Sequence, residues 1–303
     1  MRVAVTGSSG LIGSALVGAL ASRGDEVVRF VRPDSPAAHG STVRWDPRAG
    51  TVSTADLDRA GTIDAVVHLA GAGIADRRWT SDRRHEILSS RVASTSLIAT
   101  AVATRQGVTR VVSGSAIGYY GSRGDEVLDE SSSRGVGFLA DVCDAWEQAI
   151  QPARLAGATV ATVRTGIVMS AAGGALGRQL PLFRLGLGGR LGDGRQWLSP
   201  ISLDDEVRAL LWVMDQGLDG PFNLVAPTPV TNRVFTDALG RLLRRPTLAP
   251  VPRSALALAL GRDLATEAVL ASQRVVPRAL EESGFHFRHP DVDAILGAAL
   301  ARG

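Results

Sequence analysis

Gly7-Ser8-Ser9-Gly10-Leu11-Ile12-Gly13 lies between a run of β-formers at residues 3–6 and a segment in which Ile12, Leu16 and Leu20 recur at four-residue spacing. The run reads as a strand and the segment as a helix with one apolar face, flanked by Leu11, Ala15 and Ala19. Three glycines at this spacing can make an ordinary tight turn. Between a strand and a helix each has a further use. Gly7 permits the sharp exit from the strand, Gly10 lets the backbone approach a pyrophosphate, and Gly13 lets the helix lie close to the strand. The free amides of the helix N-terminus then face the anion. With Ser8, Ser9, Leu11 and Ile12 completing the loop, the reading it supports is dinucleotide binding.

The pattern continues outward from that unit. Further strand candidates lie at residues 27–31, 42–45 (the weakest), 65–70, 110–113 and 159–164, with helical periods at about 83–105 and 138–155. Short β-branched runs alternating with longer helical segments predict an α/β chain whose parallel sheet is covered by helices. Past residue 164 the texture turns glycine-rich, at Gly173-Gly174 and again over 186–194. A helix at 204–214, a strand at 221–225 and a helix at 231–243 follow, and the tail from 244 is mostly helical and punctuated by prolines. The expected organisation is a nucleotide-binding domain over 1–165 and a substrate region over 166–303, with about 201–230 returning to the first domain's sheet. No repeat or low-complexity linker interrupts it.

The end of the second strand should select the dinucleotide. An acid there would accept the adenosine ribose hydroxyls of NAD, but this strand ends in Val31 followed by Arg32. An apolar side chain beside a guanidinium suits a 2′-phosphate, which favours NADP(H) over NAD(H). The fourth strand ends in Leu69-Ala70-Gly71, small residues where the adenosine half should pass.

Composition narrows the chemistry. Of 303 residues, 33 are basic and 30 acidic, and every basic one is arginine. Without lysine there is no Schiff base, pyridoxal phosphate anchor, phosphate-loop lysine or lysine general base. The pI of 9.9 follows from a charge of +3 with few groups left to titrate, and is no nucleic-acid footprint. One cysteine makes no intrachain disulfide. The five histidines, His39, His68, His85, His286 and His289, show no metal-ligand spacing, so no metal is expected. Apolar runs such as 255–260 fall far short of the roughly 20 residues of a membrane span. Because residues 2–6 read as a strand and not as a cationic leader, a cytoplasmic location is expected.

Several segments together resemble one family. The GxxGxxG loop, Leu69-Ala70-Gly71 and Ser113-Gly114-Ser115 are similar to the extended short-chain dehydrogenase/reductases. Arg78-Trp79, Ser90-Arg91, Ser115-Ala116-Ile117-Gly118-Tyr119-Tyr120-Gly121, Trp146-Glu147, Arg164-Thr165-Gly166-Ile167-Val168 and Gly284-Phe285 resemble its atypical, epimerase-family (cell-division-inhibitor-like) branch, whose chains close on a small domain of unknown function. The resemblance implies a Rossmann-type doubly wound sheet and NADP(H). It also places Glu86 and Arg91 near the cofactor, and Thr165, Gly166 and Val168 against its nicotinamide half.

The chain departs from the superfamily's catalytic pattern of a serine after the fifth strand and Tyr-x-x-x-Lys on the next helix. Ser115 matches the serine. Anchored on Glu147, the tyrosine position falls on Leu139 and the lysine position on Cys143, which itself reads as a small buried hydrophobe. Tyr119 and Tyr120 are left as candidate proton donors, although an aromatic at a strand end is more often core. Where relatives carry tryptophan and histidine, this chain has Pro200 and Ser202; Asp205 can be an early-helix acid favoured by the dipole. Two functions follow as expectations. One is an NADP(H)-dependent oxidoreductase or epimerase-like enzyme acting on an unidentified small carbonyl or hydroxyl substrate through Ser115, Tyr119 and Tyr120. The other is an NADP(H)-binding redox sensor or partner-binding protein without turnover. The apolar stretch at 98–102 would permit a homodimer.

Overall fold

The computed structural model describes every residue except 36–39, 106, 248–249 and 302–303, so His39 lies outside the described residues. The chain runs β1 (Arg2–Thr6), α1 (Leu11–Ser22), β2 (Glu26–Val31), β3 (Ser41–Asp46), β4 (Thr51–Val52), α2 (Thr54–Ala60), β5 (Ala65–His68), α3 (Ser81–Thr104), β6 (Arg110–Ala116) and, after a 3-10 turn at Ile117–Tyr120, β7 (Val127–Leu128). Then come α4 (Phe138–Ala149), α5 (Gln151–Leu155), β8 (Thr159–Thr165), β9 (Ile167–Ser170), α6 (Gly174–Arg184), β10 (Trp197–Leu198), β11 (Pro200–Ser202) and α7 (Leu203–Gln216). The remainder is β12 (Gly220–Leu224), β13 (Val230–Thr231), α8 (Asn232–Leu243), α9 (Arg253–Leu260), α10 (Arg262–Leu264), a π-helical turn at Ala265–Val269, β14 (Arg274–Val275), α11 (Arg278–Glu282) and α12 (Val292–Ala301).

Eight strands form one sheet in the order β12-β8-β6-β5-β1-β2-β3-β4, parallel throughout except for the β3–β4 pair. This is a doubly wound, Rossmann-type sheet, and the sequence expectation of fold class is met. Side-chain alternation along each strand divides the core in two. Val3, Val5, Val67, Val112 and Val163 meet Leu16 and Leu20 of α1 and Leu210 and Met214 of α7. Ala4, Val28, Val66, Val111 and Val160 face the other way, onto Ile98 and Val102 of α3 and Ile150 beside α5. Each fully buried aliphatic side chain contributes about 1.5–3 kcal/mol, so these two layers are the main source of stability.

Two predicted boundaries shift for identifiable reasons. The helix expected over 138–155 breaks at Ile150, because Pro152 stands in the first turn of α5 and cannot continue the α4 hydrogen-bond ladder. The strand expected to reach residue 70 ends at His68, since the amides of Leu69 and Ala70 turn to the Thr6 hydroxyl, at 3.1 and 3.2 Å. Helix α3 has the length and apolar content of a membrane span. In this fold it is a covering helix, burying Ile87, Thr95, Ile98, Ala99 and Val102.

Candidate functional site

The parallel strands place their carboxyl ends along one edge, and the glycine loop opens there. Gly7 has φ +66°, and a Cβ on it would stand 2.8 Å from the Leu69 carbonyl oxygen. A Cβ on Gly13 would run into the Gly7 carbonyl, so α1 packs on the loop only with glycine there. The Gly10 amide donates to the Gly7 carbonyl at 3.0 Å and closes the turn. No side chain caps α1 and no acid lies in its first turn, which leaves its leading amides and positive dipole end for an anion. Ser8 and Ser9 form the turn, and Leu11 and Ile12 lie half-buried behind it.

Along the same edge, Val31 ends β2 half-buried, while Arg32 is exposed with no side-chain partner among the described residues. Thr6 organises the exit of β5. Besides accepting from Leu69 and Ala70, its hydroxyl meets His68 Nδ1 at 2.8 Å, and His68 Nε2 meets Thr95 Oγ1 at 2.9 Å. Burial holds the imidazole down to about 3, so His68 is a neutral brace. Gly71 lies against Arg91, whose guanidinium donates to the carbonyls of Ala72 (2.9 Å) and Ile87 (3.1 Å) and stacks on the Trp146 ring. Burial lowers the affinity of Arg91 for its proton. Glu86 accepts from Arg83 at 2.6 Å and has Arg77 and Arg48 at 3.5 Å, which holds its carboxyl below the usual range.

Beyond β6 and β8 the edge opens into a cavity of about 190 Å³. Leu139 and Cys143, at the positions of the missing tyrosine and lysine, both line it. That wall is therefore apolar, and burial pushes the Cys143 thiol up to about 11, in keeping with a small buried hydrophobe. Arg91, Thr165 and Gly166 also line the cavity. Val168 lies in β9, packed against the α1–α7 core layer and outside the cavity wall.

Ser115, Tyr119 and Tyr120 do not line this cavity, although Ala116, Ile117 and Gly118 between them do. Ser115 faces α4, and its hydroxyl donates to Glu147 Oε1 at 2.7 Å. Arg164 binds the same carboxylate through Nε (2.8 Å) and Nη2 (2.9 Å), and its Nη1 donates to the Tyr120 hydroxyl at 3.0 Å. Tyr120 in turn donates to Asn223 Oδ1 at 2.7 Å. It has no exposed surface, and burial pushes its phenol to about 12. Tyr119 lies under the Arg164 guanidinium, 3.5 Å from ring centroid to carbon. The 3-10 turn after β6 brings both rings to Arg164.

Two polar groups of the cavity wall come from distant sequence. Glu267, on the π-helical turn, lines it and accepts from the Leu139 amide at 3.1 Å, so a C-terminal residue caps the N-terminus of α4, which Gly137 leaves uncapped. Gln273 also lines it, anchored by its amide on the Ile117 carbonyl at 2.8 Å. Neither belongs to a motif, and residues 265–269 read in sequence as ordinary helix. Behind the wall, Thr165 Oγ1 donates to Glu206 Oε1 at 2.9 Å.

Asp204, Asp205 and His289 bring ligand-type atoms within 4.8 Å of one another. Asp205 is already occupied by Arg208 (2.5 Å) and by the amides of Arg288 and His289, while His289 meets Ser202 Oγ at 2.9 Å. Beyond an acid favoured by the helix dipole, Asp205 thus staples the tail to the start of α7.

Comparison with known proteins agrees with this geometry. Residues 3–136 match the NAD dependent epimerase/dehydratase family, and residues 251–299 a domain of unknown function, DUF1731. An epimerase family protein of Mycobacterium bovis is 46% identical over 301 residues, covering 99% of this chain and 98% of that one. The epimerase family protein SDR39U1 of Bos taurus is 35% identical over 309 residues, covering 99% of this chain and all of that one. The crystal structure of human SDR39U1 (isoform 2) with NADPH superposes with a TM-score of 0.89 at 32% identity, covering 99% of each chain. Those similarities cover 99% of the chain; the chain belongs to the epimerase family of atypical short-chain dehydrogenase/reductases that end in this C-terminal domain.

Proposed function

We propose that the protein binds NADP(H) along the carboxyl edge of the sheet and exchanges hydride with a small carbonyl or hydroxyl substrate in the cavity beyond β6 and β8. The observation that carries the reading is the cradle at Gly7 and Gly13, where any Cβ would collide, with a walled cavity beyond the ends of β6 and β8 in the same sheet. The amides from Gly10 to Gly13 would hold the pyrophosphate, Arg32 the 2′-phosphate, and Leu69, Ala70 and Gly71 the adenosine half. The human relative solved with NADPH supports the same choice of dinucleotide. Arg91, Thr165 and Gly166 would border the nicotinamide half.

When bound, NADP(H) supplies or accepts the hydride. The chain's own part is to position and to manage protons. Leu139, Cys143 and Trp146 exclude water from one wall, while Glu267, Gln273 and Thr165 offer the polar contacts that would orient a substrate oxygen. A second reading is favoured by one specific feature: the positions that carry Tyr and Lys in the superfamily's pattern hold Leu139 and Cys143. On that reading the protein holds NADP(H) without turnover and reports its redox state. Stopped-flow records of NADPH oxidation across aldehydes, ketones and sugar nucleotides separate the two. Turnover on any of them, reduced in Glu267→Gln, supports the enzyme; tight NADPH binding with no oxidation across the panel supports the sensor.

A further inference from the structure

Glu206 has no exposed surface. Its side chain reaches from the first turn of α7 to the carboxyl end of β8, where Thr165 occupies one oxygen, and Oε2 has no hydrogen-bond partner at all. Thr165, which holds this carboxyl, is itself one of the residues lining the cavity. A dinucleotide whose pyrophosphate lies on the α1 N-terminus and whose adenosine half extends over β2 must send its nicotinamide the other way, over β5, β6 and β8, toward that threonine.

The elements around Glu206 bring it no cation. Helix α1, β9 and β11 carry no ionisable side chain. On β6, Arg110 lies at the far end, on the Met214 and Asp215 carbonyls. Arg164 of β8 points to the opposite face, onto Glu147. On α7 itself Arg208 is paired with Asp205, and Arg288 of the tail meets Asp204. His289 of the tail is held by Ser202 and Asp205.

We propose that Glu206, acting through Thr165 as a positioning residue, sets which redox state of the nicotinamide the cleft prefers. The oxidised ring carries a positive charge and the reduced ring does not. A buried carboxylate with no protein counter-ion attracts that charge through little screening, whereas the protonated acid is indifferent to it. Burial moves the Glu206 carboxyl up to about 8, so both forms are within reach of solution conditions. Below that pH the neutral acid leaves the two redox states nearly equivalent; above it the carboxylate favours NADP+. Near that pH, binding of NADP+ therefore releases more proton to solvent than binding of NADPH.

This inference rests on the NADP(H) reading of the cleft. Its test is the ratio of the dissociation constants of NADP+ and NADPH, measured calorimetrically from pH 6.5 to 9.5. The 2′-phosphate titrates identically in both nucleotides and cancels in the ratio. The expected result is a fall of about tenfold with a midpoint near pH 8, equivalent to one pK unit of coupling. Glu206→Gln should hold the low-pH ratio throughout, and Thr165→Val should shrink the swing. A measurement that needs no variant is the proton release on NADP+ binding in excess of that on NADPH binding, read from titrations in buffers of different ionisation enthalpy. A flat ratio with both nucleotides bound, a swing surviving in Glu206→Gln, or equal proton release on binding the two nucleotides would overturn the assignment. Failure of both nucleotides to bind would instead overturn the NADP(H) reading, and the assignment with it.

Discussion

The Ser115 hydroxyl donates to Glu147 Oε1 at 2.7 Å, so the serine that a sequence pattern would assign to catalysis serves a carboxylate already bound twice by Arg164. Glu147 keeps 15% and Arg164 only 5% of its side-chain surface exposed. Removing the carboxylate would leave a buried guanidinium without its charge partner. Glu147→Ala should therefore destabilise the fold by about 3 kcal/mol in urea titrations. Ser115→Ala should cost no more than about 1.5 kcal/mol and leave NADPH affinity unchanged; an affinity loss of about tenfold would place Ser115 in the cofactor site.

Gly13→Ala places a methyl group against the Gly7 carbonyl. Either α1 tilts off the sheet or the loop widens, and both spoil the array of amides that would receive the pyrophosphate. The expected outcome by calorimetry is at least a tenfold loss of NADPH affinity, with far-ultraviolet circular dichroism unchanged.

Arg32 is exposed, and its replacement removes no side-chain contact among the described residues. A charge-assisted contact to phosphate is worth about 1.5–3 kcal/mol. Arg32→Ala should thus weaken NADPH binding by about ten- to a hundredfold while leaving NADH binding as it was. Equal losses for both nucleotides would refute the 2′-phosphate assignment.

Two buried groups bound stability from opposite sides of the pH scale. His68 is held down to about 3 in the folded protein against an ordinary value near 6.5, so an unfolded chain takes up a proton that the native one refuses. Stability is full above about 6.5 and falls as the pH drops toward 3, by of order 4 kcal/mol. Glu206 is raised to about 8, so here the native state holds the extra proton. Its contribution is full below the ordinary carboxylate range and is lost as the pH climbs through 8. Urea midpoints should peak between the two limits, and Glu206→Gln should remove the alkaline decline.

Glu267 caps α4 from more than a hundred residues downstream. Glu267→Ala should cost about 1 kcal/mol, the usual worth of an N-terminal cap, and Glu267→Gln should recover most of it through its amide oxygen. Thermal melts of the pair read the difference.

The sequence by itself determined the sheet, the glycine loop and the absence of lysine chemistry, because each rests on neighbours in the chain. Alternation along β1 and β5 places Val3, Val5 and Val67 on one face wherever those strands go, and Gly7 to Gly13 carry their backbone freedom locally. Whether a side chain faces the cleft was decided only by tertiary structure. Tyr119 and Tyr120 follow Ser115 closely in sequence, yet a single 3-10 turn sends their rings to Arg164, a partner supplied by another strand. Glu206 and Glu267 carry no local signature: one acquires its meaning from the desolvation imposed by packed layers, the other from a π-helical turn delivered across the fold. Burial and long-range pairing are properties of the assembled layers, and no window of residues contains them.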